Sequence, residues 1–101
     1  MPTYIAEKTL YLKNAEEAIK EVHVGIGQPY QKGEGSWACP IQLEGLFADM
    51  PDINGEDSFQ ALMLAQNLAR TLLNALVEKG WKVYCYEDKE VHVDTLFQVG
   101  V

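Results

Sequence analysis

Apolar residues recur every three to four positions between Asp57 and Gly80: Phe59, Leu62, Met63, Ala69, Leu72, Leu73, Leu76 and Val77. That spacing predicts one long amphipathic helix, with Gln60, Asn67, Thr71, Asn74 and Glu78 on the opposite, polar stripe. Both ends carry signals. Asp57 can accept from the first free helical N–H groups, and Gln60 three residues on makes a relaxed capping box. Gly80 supplies the stop.

The rest of the chain alternates with a period of two, the signature of half-buried strands. Thr3 to Leu12 reads as a first strand and Lys20 to Gly27 as a second, joined by the polar turn Lys13-Asn14-Ala15-Glu16-Glu17. Gln28 to Gly35 is expected to be a loop from its Pro and Gly content. Trp37 to Phe47 reads as a third strand. Pro40 has no N–H for a ladder, so it places that strand at an edge, at a bulge, or with its start unpaired. Asp49 to Gly55 is a second expected loop. Beyond the helix, Trp81 to Glu87 reads as a fourth strand, Asp88-Lys89-Glu90 as a turn, and Val91 to Val99 as a fifth strand. The first strand is inconsistent within itself. Leu10 and Leu12 share parity with Lys8, whereas Ile5 and Tyr11 share it with Glu7, and a bulge would resolve the conflict.

These elements predict a single α+β domain over residues 1–101, of order β-β-β-α-β-β. An antiparallel sheet of about five strands, mostly a meander, is covered on one face by one long helix. One helix covers only one sheet face, so the other must meet water or a partner. Parity places Tyr84, Tyr86, His92, His23, Gln42 and Glu44 on that uncovered face. Tyrosine suits such a surface, with an apolar ring and a hydroxyl that tolerates water. It also suits strands in general, where it packs against cross-strand neighbours.

Charge narrows the partners. The chain is 101 residues long with net charge −7, and both halves are acidic. No basic stripe is present for phosphates, so nucleic-acid binding is not expected. A basic protein partner fits an acidic surface better. No apolar run approaches a membrane span, because Gln66, Asn67, Arg70 and Asn74 interrupt the helix. No charged-then-apolar leader is evident, and the expected location is the cytoplasm.

Candidate chemistry is sparse. Cys39 and Cys85 lie on the apolar parity of their strands while His23 and His92 lie opposite, so a shared zinc shell would have to cross the sheet. Neither Cys-x-x-Cys nor His-x₃-His spacing occurs. Cys39 has no nearby cation or helix start to lower its pKa. Asp49, Asp52, Glu56 and Asp57 lack calcium-loop spacing, and acids before a helix are explained by its dipole. Gly25-Ile26-Gly27 runs into Gln28-Pro29 and not into a helix, which excludes a dinucleotide turn. No catalytic residue, metal or cofactor is expected.

Several segments together carry a resemblance: Ile5-Ala6-Glu7-Lys8, Ile26-Gly27-Gln28-Pro29, Trp37-Ala38-Cys39 with Gly45 downstream, and Gly55-Glu56-Asp57-Ser58-Phe59-Gln60-Ala61-Leu62-Met63-Leu64-Ala65. The chain resembles a family of small bacterial proteins of unknown function from about residue 5 to the end of the helix. The resemblance implies a bacterial source and one small domain, and brings no activity or catalytic residue. The expected role is a non-catalytic protein–protein interaction or adaptor module. Two alternatives stand beside it: an immunity-type inhibitor of a basic toxin, and a small enzyme or ligand binder using the Tyr/His face. Self-association into a homodimer is a further way to cover that face.

Overall fold

The first alternating run folds into a hairpin of β1 (Tyr4–Lys13) and β2 (Ile19–Gly27) in a computed structural model that describes residues 4–86 and 89–97. Asn14 organises the turn between them. Its side-chain oxygen accepts from the backbone N–H groups of Glu16 and Ala18, each at 3.0 Å, the local bonding for which Asn is favoured in turns. Glu17 completes the turn at φ 65°. A register shift between Tyr4 and Ala6 takes Ile5 out of the alternation of β1 but leaves Lys8 with Leu10 and Leu12. Past this bulge, Lys8 pairs with Val24, Leu10 with Val22, and Leu12 with Lys20. Lys8 thus shares the core-side face of Leu10 and Leu12.

The expected third strand is two strands. β4 (Ser36–Cys39) and β5 (Ile41–Glu44) are separated by Pro40 and belong to different sheets. A proline cannot donate to a ladder, so the change of sheet falls where a donor is missing. The Pro40 carbonyl still accepts from Gly27 N–H at 2.8 Å. Both expected loops also hold strands: β3 (Tyr30–Gly33) within Gln28–Gly35, and β6 (Ile53–Gly55) within Asp49–Gly55. They flank β4 in a three-stranded antiparallel sheet of order β3-β4-β6.

The larger sheet is five-stranded and antiparallel, of order β5-β2-β1-β7-β8, with β7 at Lys82–Tyr86 and β8 at Lys89–Val91. β7 pairs with β1 only across Tyr11–Lys13. The expected strand from Val91 to Val99 ends at Val91, and the chain turns into a short helix, α2 (Val93–Leu96). The last residues of that expected strand, and the Asp88 of the expected turn, lie outside the described residues.

The long helix α1 (Ser58–Glu78) begins and ends where its signals stand. Asp57 Oδ1 accepts from Gln60 N–H at 2.7 Å, and Gln60 Oε1 accepts from Glu56 N–H at 2.7 Å. The box is therefore relaxed by one residue, since its return bond reaches Glu56 and not the cap itself. At the other end Gly80, at φ +103°, donates to the Val77 carbonyl while Trp81 donates to Leu76. This is a Schellman motif, and its left-handed residue is the one glycine adopts at low cost. Asp57→Ala should lower stability by about 1 kcal/mol through loss of the cap acceptor and its charge. Urea denaturation of the two proteins measures this, and equal midpoints would contradict the cap's role.

The buried line of α1 differs from the expected one. Ala61, Ala65, Ala69 and Leu73 are the fully buried positions, flanked by the partly buried Leu62, Leu68, Leu72 and Leu76. Phe59 is 74% exposed and Met63 49% exposed, and Val77 also faces out. The apolar stripe is wider than the contact it can make. The helix rotates so that its alanines, which allow the closest approach, sit over the strands. Leu10, Leu12, Val22, Leu43 and Val83 fill the core beneath them. The result is an α+β domain with one long helix on an antiparallel sheet. No helix among the described residues is long and apolar enough to cross a membrane.

Candidate functional site

Cross-strand register assembles the face of the large sheet turned away from α1. One row runs Gln42–Gly25–Glu7, the next Glu44–His23–Thr9, and a third brings Glu21, Tyr11, Tyr84 and Glu90 together. His23, Gln42, Glu44 and Tyr84 therefore share one face. Tyr86 leaves that row. A register shift between Tyr84 and Tyr86 pairs it with Lys89, and it stands exposed at the end of β7. His92 is also apart, because the strand that would have carried it gives way to α2. It precedes that helix without a side-chain capping bond, and it borders a cavity with Asn74 and Val77 of α1.

His23 is the centre of the face. Its Nε2 lies 2.8 Å from Glu7 Oε1 and its Nδ1 3.5 Å from Thr9 Oγ1. A carboxylate only accepts, so Nε2 donates to Glu7, while the Thr9 hydroxyl beside Nδ1 can serve either as donor or as acceptor. Tyr4 packs edge-on against the imidazole at 6.1 Å between ring centres. Its ring covers Gly25, where an added Cβ would come within 2.8 Å of it. Burial, and then the charges of Glu44 and Glu7, push the Tyr4 hydroxyl above its ordinary pKa. An open cleft of about 480 Å³ lies beside His23, bordered by Glu21, Glu44 and Gly45. At the far end of the face, Lys13 Nζ sits 4.4 Å over the Tyr84 ring, a cation–π contact.

Tyr4, Glu7, Thr9 and Glu21 were not among the sequence-selected residues. The bulge hid Tyr4, which lies beyond it, and Lys8 on the core parity hid Glu7 by making the facing of β1 ambiguous. Thr9 and Glu21 fall on the outward parity once register is known.

The order hydroxyl, imidazole, carboxylate is chemically suggestive, since that constellation serves nucleophilic hydrolases. The surroundings differ from such a site. Backbone N–H groups within the ladders of a sheet lie in its plane and are not aimed off its face as an oxyanion hole requires. What the face offers is a ring of carboxylates around aromatic side chains.

Other polar groups tie elements together. Tyr30 of β3 donates to Asp52 at 2.5 Å, which holds its hydroxyl above the ordinary pKa. Arg70 of α1 donates to Asp94 of α2 at 2.8 Å and Asn74 donates to the same oxygen at 3.3 Å. Both bonds hold the Asp94 carboxyl below its usual pKa. The link is thus complete above the ordinary carboxylate range and is lost as pH falls through the lowered value. No group of three or more His, Cys, Asp or Glu among the described residues is arranged to hold a metal.

Cys39 is fully buried, and burial raises its thiol pKa, with the charge of Asp52 adding to the effect. Cys85 is only partly buried. Thiol labelling of the native protein should therefore show one slow and one faster site, because thiolate fraction and access both limit the rate. Equal, rapid labelling of both would contradict the burial of Cys39.

The chain belongs to the family described as a domain of unknown function, DUF6968, whose model matches residues 6–90. No curated protein and no solved structure matches the chain.

Proposed function

We propose that this domain is a non-catalytic protein–protein interaction module whose uncovered sheet face takes a basic segment of a partner. One observation carries the reading. Register places Glu7, Glu21, Glu44 and Glu90 among Tyr4, Tyr11 and Tyr84 on the face that α1 leaves open. Carboxylates steer and orient cationic side chains, and tyrosines supply contact area for their aliphatic stems and guanidinium planes. The net charge of −7 acts in the same direction at longer range.

An inhibitor of a basic toxin is one form such a module takes. Small size, acidity and the bacterial resemblance support it, and a toxin gene beside this one would strengthen it. The same carboxylates oppose pairing of this face with a second copy. Light scattering at low and moderate salt should therefore give the monomer mass.

A capped tetra-arginine peptide tests the reading by NMR titration of the labelled protein. Amide shifts should gather at Glu7, Glu21, His23, Glu44 and Tyr84. Replacing Glu7, Glu21 and Glu44 together by Gln should weaken binding about tenfold, the sum expected of three exposed ion pairs. Shifts spread evenly over the whole acidic surface would contradict a dedicated face.

A further inference from the structure

On the opposite side of the large sheet, two features coincide that the outward face does not use. The first is a strand edge. β1 is a central strand only over Tyr11–Lys13, where β7 pairs with it. From Tyr4 to Leu10 it has β2 on one side and, among the described residues, no strand on the other. The second is a cavity of about 340 Å³ between α1 and the helix-side face of that same stretch. Its apolar wall is made by Leu10, Val24, Ile26, Leu96 and Phe97, and its polar contribution comes from Lys8 and Gln66. Glu7 also borders it, but its carboxylate is engaged by His23 on the other face.

Lys8 is the anomaly. It sits on the core parity of β1, next on that side to the buried Leu10 and opposite the buried Val24, and yet, like Ala6 on its other side, is itself exposed. Neither its ammonium nor the Gln66 amide has a hydrogen-bonding or ionic partner among the described residues. A cation on the core side of a strand is costly to bury and needs a counter-charge when covered.

We propose that the Tyr4–Leu10 edge of β1 is a strand-addition site for an extended peptide carrying an apolar residue two positions from a carboxylate. The edge supplies a row of N–H and C=O groups whose spacing only another strand matches. In an added strand, alternate side chains point to the helix side. One enters the cavity, whose size lies at the lower end of ligand pockets and fits one aromatic or branched side chain. The next on that side comes alongside Lys8. This surface is separate from the outward sheet face, and either can fail without the other.

The probe is the capped pentapeptide Thr-Phe-Thr-Glu-Thr, titrated into the labelled 101-residue chain. Amide shifts should concentrate at Ala6, Lys8, Leu10, Gln66 and Leu96, with little change at His23 and Glu44. Replacing the peptide's Phe by Ala should cost at least tenfold, the scale of one buried aromatic. N-methylation of its backbone should abolish binding with the side chains intact. Lys8→Glu should weaken the Glu peptide by about fivefold and strengthen a Lys counterpart similarly, as expected of one exposed ion pair. Any of four results would overturn the proposal. These are no shifts at millimolar peptide, equal binding of the N-methylated peptide, shifts centred on the outward face, or a Lys8→Glu variant without charge preference. A dimer mass in the absence of peptide that maps to β1 would assign the edge to a second copy instead.

Discussion

Replacing Leu73 by Ala should remove about 2–5 kcal/mol of stability, the range for truncating a fully buried leucine. Leu73 is the largest side chain on the buried line of α1 and is 0% exposed. Its neighbours on that line are alanines, which cannot swing into the space it leaves. The cavity would therefore persist, and a persistent cavity puts the cost toward the upper part of the range. Met63→Ala, on the exposed stripe of the same helix, should change stability by no more than about 0.5 kcal/mol. Urea denaturation of both variants checks the pair. Similar losses at the two positions would mean that the helix is rotated from the orientation described.

Gly45→Ala should cost about 3 kcal/mol, combining backbone strain with overpacking. Gly45 follows β5 at φ +104°. A Cβ there would lie 2.3 Å from the Glu21 carbonyl oxygen, which is backbone and cannot rotate away. Gly35 separates the two causes. It also has positive φ, at +69°, but nothing lies within 4 Å of its added Cβ. Gly35→Ala should cost only about 1 kcal/mol, the strain alone. Equal effects in the two variants would show that the contact with Glu21 relaxes freely.

The helix was legible in the sequence because its signals are local. Asp57, Gln60 and Gly80 act within a few residues of themselves, and the structure uses all three. The rotation of α1 was not legible. Phe59 and Met63 are more apolar than Ala61 and Ala65, and only the strands opposite favour the smaller residues. Pro40 announced a break without saying that β4 and β5 would part into separate sheets. That choice depends on Gly27 and Ile53, which are distant in sequence. Strand parity selected His23, Gln42, Glu44 and Tyr84 in common, because β2, β5 and the first part of β7 are regular there. It went astray at His92 and Tyr86, where a strand ends and a register shifts. Tyr4 required the position of the bulge, which depends on pairing with Gly27 and Ile26 and not on local composition, and Glu7 required the facing of β1, which the exposed Lys8 on the core parity disguises.

The place of β1 in the large sheet also sets an order of events in time. Its first neighbour, β2, follows it directly and can pair as soon as the Asn14 turn forms. Its second, β7, comes about 70 residues later, after the long helix and every other strand of the two sheets except β8. Closing so large a loop costs entropy before the Tyr11–Tyr84 pairing repays it, and contacts of that separation slow folding. During synthesis the flank of β1 that β7 covers stays open until Lys82–Tyr84 have emerged, an interval in which a nascent chain is most prone to pair wrongly.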